Sequence, residues 1–132
     1  MGKVTYKQIA DRDLKDAETL LTAGSFSSAG RFAQQAVEKS LKHFIDINGD
    51  TNDIPLLTTH NTVRLYEKVV ELGGLEHNKE YKKMMLILKS YYYDTNYPSD
   101  DFRELDEEEA TDAVNFAKEL IATIKWTNKN QT

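Results

Sequence analysis

The sequence of 132 residues contains no cysteine, only two prolines and six glycines, and its longest apolar run extends only from Met84 to Leu88. The absence of cysteine excludes a disulfide scaffold, thiolate metal sites and cysteine nucleophiles. A run this short is far from the roughly 20 residues that cross a bilayer, and the N-terminus lacks the apolar core of a signal peptide. We therefore expect no membrane segment and a cytoplasmic location. The scarcity of proline and glycine suits a mostly helical chain.

Acidic residues outnumber basic ones, 22 to 17, but the imbalance is local. Eight acids and one base between Asp100 and Asp112 give this segment a charge of −7, which leaves the rest of the chain at +2. The four acids from Asp106 to Glu109 are explained as the first turn of a helix, whose positive dipole end stabilises negative charge. The overall acidity excludes a general binder of duplex nucleic acid.

Apolar residues recur at the i, i+3, i+4 and i+7 spacing of an amphipathic helix in five stretches, whereas alternation with period two never exceeds four residues. The pattern predicts an all-α single domain over residues 1–132. Short connections after the first and third helices indicate antiparallel neighbours, and hence an up-and-down bundle of four to five helices. The predicted helices span residues 5–23, 25–48, 59–72, 78–93 and 106–126, with a loop over residues 49–58. Residues 127–132 are predicted to form a frayed tail.

Local features of these helices give more specific predictions. Glu38 and Lys42 are expected to form an i, i+4 ion pair on the outside of the second helix. Thr59 is expected to cap the third helix. On the fourth helix three apolar residues lie off the main stripe, which predicts a homodimer that buries them. They are Leu86, Ile87 and Tyr91.

The sequence contains few residues of the kinds that carry out catalysis. The three histidines, His43, His60 and His77, have no nucleophile elbow beside them and no glutamate three residues before them, so they are interpreted as surface or capping residues. Glycine-rich phosphate loops are absent. The sequence therefore predicts no catalytic residues, no metal site and no cofactor. The acidic segment is an alternative candidate for holding a divalent cation.

Lysines and tyrosines suggest two interpretations of the second and fourth helices. Lys39 and Lys42, with Lys82, Lys83 and Lys89, are the basic groups that could meet a phosphate near a run of tyrosines where bases could stack. Solvated lysines on ordinary helix faces, with Tyr92 in the core, explain the same pattern. The residues alone leave both interpretations open.

Three segments together resemble a HEPN domain. The first runs from Ala10 through Asp13-Leu14 and Ala17 to Gly24, and the second is Ala33-Gln34-Gln35-Ala36-Val37-Glu38-Lys39-x-Leu41-Lys42. The third is Tyr97-Pro98 ahead of a helix that opens Glu108-Glu109-Ala110, and Thr59-His60-Asn61 is similar to the start of the family's middle helix. The resemblance covers nearly the whole chain in the right order.

The resemblance implies a bundle of four to five helices, commonly a homodimer, and often the partner of a minimal nucleotidyltransferase in toxin–antitoxin pairs. It also implies that a nucleotide or RNA binds near the last inter-helix loop. The nucleotide-binding residues predicted on this basis are Lys39, Lys42, Tyr93, Asn96 and Tyr97.

Two departures from the family pattern bear on activity. Catalytically active HEPN ribonucleases carry Arg, four to six residues and then His, and no arginine here is followed by histidine at that spacing. Asn96 stands where many relatives have an arginine, which removes a bidentate phosphate donor. We therefore predict a non-catalytic binding or interaction module.

Two alternatives remain open. One is a diverged ribonuclease that uses Asn96, Tyr97 and a carboxylate such as Asp94 or Asp100. The other is a structural, antitoxin-like subunit whose acidic segment meets a basic partner.

Overall fold

The computed structural model describes residues 4–49, 54–94 and 104–126, apart from the side chains of residues 93 and 94. Six α-helices and no strand occur in these ranges, so the all-α prediction is confirmed. The helices are α1 Tyr6–Thr22, α2 Phe26–Asn48, α3 Ile54–Thr58, α4 Thr62–Glu71, α5 Lys79–Asp94 and α6 Glu107–Thr123. No helix among them is long and apolar enough to cross a membrane.

The longest helix, α2, is the centre of the bundle. It packs against all five other helices, and 12 of its 23 residues are buried. Small residues on this helix, Ala29, Ala33 and Ala36, are completely buried and allow neighbouring backbones to approach closely. Little of α2 is therefore left facing solvent.

Side chains cap the N-termini of several helices, one of them from an unexpected position. Asp106 caps α6 by accepting a hydrogen bond from the backbone N–H of Glu109 at 2.8 Å, which confirms that the acids of residues 106–109 form a helix start. The prediction that Thr59 caps the helix after the loop is wrong. Asn61 caps α4, accepting from the N–H groups of Val63 and Arg64, because Thr59 lies two residues too early.

The helix count exceeds the prediction by one short element. Instead of a continuous loop over residues 49–58, Ile54–Thr58 forms the short helix α3, whose Leu56 is 4% exposed. Five residues are too few to show helical periodicity in the sequence.

The core face of α5 contains Tyr91 in place of Tyr92, the tyrosine that one interpretation of the sequence places in the core and that is only half-buried. Met85, Leu88 and Tyr91 are buried, so the prediction that Tyr91 lies off the stripe is wrong. Leu86 and Ile87 are exposed, as their off-stripe positions predict. The C-terminal end of α5 leads directly to residues 95–103, which lie outside the described residues, as do residues 127–132.

Candidate functional site

A buried carboxylate on α2 organises a group of polar side chains. Glu38 is 2% exposed, and its Oε2 accepts hydrogen bonds from Lys42 Nζ at 3.1 Å and Lys39 Nζ at 3.2 Å. Its Oε1 accepts from Gln34 Nε2 at 3.1 Å and lies 3.0 Å from His60 Nδ1. We call these five residues the Glu38 cluster.

The spacing of the sequence builds most of this cluster. Gln34, Glu38 and Lys42 follow each other at i, i+4 intervals and so lie on one face of α2. Glu38 and Lys42 pair as predicted, but their placement on the outside is wrong, since the two side chains are 2% and 3% exposed. The surrounding helices cover this face of α2, and buried charges persist only when they are paired and hydrogen-bonded.

The surroundings of Glu38 and Lys42 shift the pKa values of both groups. Burial raises the pKa of Glu38, but the charges of Lys42 and Lys39 and the hydrogen bonds from Lys42 and His60 outweigh it, so the pKa lies below its ordinary value. Burial lowers the pKa of Lys42, against the attraction of Glu38. Because the Glu38 carboxylate is ionised, it can only accept, and the Nδ1–H of His60 is the donor of their hydrogen bond.

The cluster reaches the surface at Lys39 and His60. The Lys39 side chain is 25% exposed and that of His60 is 39% exposed. One face of the His60 ring stacks on Tyr92, with ring centroids 4.0 Å apart and an angle of 13° between planes. Glu38 thus fixes the His60 ring at its Nδ1 edge, and Tyr92 fixes it on one face. We call Lys39, His60 and Tyr92 the Lys39–His60 surface.

Asp13 of α1 adds a second carboxyl near this cluster. It is 9% exposed, and burial raises its pKa, although the charge of Lys39 acts in the opposite direction. Among the residues that the structure describes, the Oδ2 atom of Asp13 has no hydrogen-bond partner. A residue of the first HEPN-like segment therefore lies within electrostatic reach of the cluster.

The residues predicted to bind a nucleotide divide into three groups. Lys39 lies at the surface, whereas the Lys42 ammonium is buried against Glu38. Tyr93 belongs to α5, but its side chain is not described, and Asn96 and Tyr97 lie outside the described residues.

His60 and Tyr92 are not among the binding residues that the sequence predicts. The sequence pattern favours a surface or capping role for His60, and this residue lies 22 positions from Glu38, so no local spacing links them. The sequence signals are the family-like segment Thr59-His60-Asn61 for His60 and the run of tyrosines for Tyr92.

A concavity lies at the other end of α5, away from the Lys39–His60 surface. A cavity of about 330 Å³ is bounded by the turn of residues 74–78, the start of α5 and the end of α6, and it includes His77 and Lys125. Both of these side chains are exposed, and within the described residues neither takes part in an ion pair. We therefore place the candidate site at the Lys39–His60 surface. In the described ranges no group of three acidic or histidine side chains could hold a metal ion.

Comparison with known proteins supports the resemblance. A HEPN domain family model matches residues 4–127. The fold is similar to TT1696 from Thermus thermophilus, with a TM-score of 0.71, 22% identity, and coverage of 89% of this chain and 91% of that chain. It is also similar to ST0689, an archaeal HEPN homologue, with a TM-score of 0.61, 18% identity and 89% of each chain covered. Among curated protein sequences, none matches significantly. Because the family model spans nearly the entire chain, this protein belongs to the HEPN domain family.

Proposed function

We propose that this protein is a non-catalytic HEPN binding module that takes a nucleotide, free or at the end of an RNA, at the Lys39–His60 surface. The observation that carries the proposal is the shared carboxylate. Glu38 accepts hydrogen bonds from both the Lys39 ammonium and the His60 ring, and Tyr92 stacks on one face of that ring. A partly exposed cation next to a fixed aromatic face is the pairing that a phosphate and a base require.

Each part of the surface has a distinct expected contact. We expect a base to stack on the face of the His60 ring opposite Tyr92, and stacking of a base on an aromatic ring is worth about 1–3 kcal/mol. Lys39 supplies a charge-assisted hydrogen bond to phosphate. Lys42 supports Glu38 from inside and does not contact the ligand. Asn96 and Tyr97, which the sequence also predicts to bind the nucleotide, follow Tyr92 by four and five residues and lie outside the described residues.

Isothermal titration with ATP tests this proposal. We expect His60→Gln to weaken binding about tenfold, because the amide still donates to Glu38 while the stacking face is lost. Lys39→Ala is expected to weaken binding by a similar factor through the lost phosphate contact. Lys68→Ala, which removes a partly exposed lysine paired with Glu71 on α4, is the matched control and should bind as the wild type does. Equal affinity in all four proteins, or no heat with any nucleotide, would refute the proposal.

The protein partner is a separate part of the proposal. Family membership favours a minimal nucleotidyltransferase, encoded next to this chain in a toxin–antitoxin-like pair. A neighbouring gene of that class, with co-purification of the two products, would support this assignment.

One observation favours a second candidate, a ribonuclease that uses His60 as its base instead of the Asn96, Tyr97 and nearby carboxylate that the sequence suggests. With Nδ1–H donating to Glu38, a neutral His60 keeps its lone pair on Nε2, which is the form a general base needs. A 2′-hydroxyl of RNA could give its proton to that nitrogen.

Incubation of RNA with the wild type and with His60→Gln, both in chelator, separates this candidate from a binding module. A ribonuclease that uses His60 would lose at least about a hundredfold in rate in the variant. We expect no cleavage by either protein. Cleavage that depends on His60 would replace the binding module by the enzyme.

A further inference from the structure

The buried stripe of α1 contains one carboxyl group, that of Asp13. The other buried residues of this helix are Ala10 and Ala17, and the helix packs mainly against α2. Within the part of the chain that the structure describes, the Oδ2 atom of Asp13 has no hydrogen-bond partner, and its carboxyl takes part in no ion pair. Since nearly all buried polar groups of folded proteins are hydrogen-bonded, Asp13 departs from the rule.

Asp13 lies near the lysine of the Lys39–His60 surface. Burial is the main influence on the pKa of Asp13, and the charge of Lys39 comes first among its charged neighbours. Asp13 is 9% exposed, whereas Gln34 of the Glu38 cluster is completely buried, and its Oε1 atom also lacks a partner among the described residues. Of these two unpartnered acceptors, Asp13 is therefore the one that a ligand at this surface can reach.

The place of Asp13 indicates which part of a nucleotide it can meet. In the proposed function the phosphate lies at Lys39 and the base stacks on His60, and the ribose connects the two. An ionised phosphate has no hydrogen to donate, and its charge repels a carboxylate. A ribose hydroxyl does donate, and a carboxyl oxygen can accept from it in either protonation state. The ribose is therefore the part of the ligand that suits Asp13.

We propose that Asp13 accepts a hydrogen bond from the 2′-hydroxyl of the nucleotide at the Lys39–His60 surface, so that the site prefers ribonucleotides to deoxyribonucleotides. This inference rests on the proposed function and adds the class of nucleotide to it. The 2′-hydroxyl is the group by which proteins distinguish RNA from DNA. It also stays free within an RNA chain, where the 3′ oxygen is bonded to the next phosphate.

The burial of Asp13 strengthens the expected preference. Folding has already removed water from this carboxyl, and no donor among the described residues replaces that water at Oδ2. A hydrogen bond from a ligand therefore requires little further desolvation of Asp13, and hydrogen bonds to charged groups are the stronger ones. A deoxyribonucleotide would cover the carboxyl without supplying a donor, which a site of this kind disfavours.

Isothermal titration of ATP and of 2′-deoxy-ATP into the full chain tests this contact. We expect the wild type to bind ATP about tenfold more tightly than 2′-deoxy-ATP, and Asp13→Ala to bind the two equally. The ratio of the two dissociation constants is the readout, because loss of a negative charge near Lys39 changes both affinities alike. Asp16→Ala, which removes an exposed aspartate from the same helix, is the matched control and should retain the preference.

Urea denaturation of Asp13→Ala shows whether the carboxyl serves the fold instead. We expect the midpoint to stay at the wild-type value or to rise, because the variant removes a buried polar group that lacks a donor. Alanine is also the better helix former. A midpoint far below that of the wild type would show that Asp13 stabilises the fold and would contradict its role as a ligand contact.

The titrations separate this inference from the proposed function. Equal affinity of the wild type for ATP and 2′-deoxy-ATP would overturn the ribose contact and leave nucleotide binding in place. A preference for ATP that Asp13→Ala retains would assign the 2′-hydroxyl to another residue, which also overturns the inference. If neither nucleotide binds, the proposed function fails, and the ribose contact fails with it.

Discussion

Replacing Glu38 by leucine is expected to lower the free energy of unfolding by about 3–5 kcal/mol. The loss is expected because Lys42 would lose the negative charge that pairs with its ammonium. Lys42 is 3% exposed, and without Glu38 its ammonium would be buried with no opposite charge. Urea denaturation followed by circular dichroism measures the loss, with an unchanged slope showing that only stability has changed.

The double variant Glu38→Leu/Lys42→Leu is the control for that result. Removing both charges together eliminates the desolvation cost along with the attraction, so the double variant should be near the wild type in stability, or above it. A double variant as unstable as the single one would show that side-chain packing, and not the unpaired charge, causes the loss. A single variant that loses less than about 1 kcal/mol would show that water reaches Lys42.

The pH dependence of stability has a definite sign at this site. The pKa of Glu38 is lower in the folded protein than in the unfolded chain. Its stabilising contribution is therefore complete above the unfolded value of about 4.3 and is lost as the pH falls through the folded value. Glu38→Gln should make the unfolding free energy, measured by urea denaturation at a series of pH values, less dependent on pH over this acidic range.

Gly74→Ala is expected to destabilise the fold by about 2–3 kcal/mol through overpacking. A Cβ atom at this position would lie 2.6 Å from two ring carbons of Phe44 and 2.8 Å from Cγ1 of Val69. Phe44 is completely buried, so its ring has no free space to move into. Thermal unfolding measured by circular dichroism checks the effect.

The neighbouring glycine separates crowding from backbone strain. Gly73 has a φ of 88°, and a Cβ added there would meet nothing within 4 Å, so Gly73→Ala should cost only about 1 kcal/mol for its left-handed backbone. Phe44→Leu should recover part of the loss caused by Gly74→Ala but none of that caused by Gly73→Ala. Equal losses at both glycines, with no such recovery, would contradict the crowding explanation.

The long helices could be predicted from the sequence because each has a strong amphipathic period. The predicted stretch 106–126, for example, begins at the residue that caps α6. The errors fall where periodicity is weak or where two residues compete for one role. The helix α3 is too short to show a period, and Tyr91 is buried at a position next to the half-buried Tyr92 on the same helix.

The candidate site was less predictable, for a physical reason. A charged i, i+4 pair such as Glu38 and Lys42 is ordinarily solvated, and only the packing of helices around α2 buries it. His60 joins the cluster from the segment that leads into α4, so its contact with Glu38 depends on how α2 and α4 pack. Sequence spacing contains no such information.

The central claim is that the Lys39–His60 surface binds a nucleotide. The most direct test is an amide proton–nitrogen correlation spectrum recorded as ATP is added. We expect the largest shifts at Lys39, His60 and Tyr92, with little change at His77 and Lys125 around the cavity at the other end of α5. Shifts centred on that cavity, or no shifts at a saturating concentration of ATP, would contradict nucleotide binding at the Lys39–His60 surface.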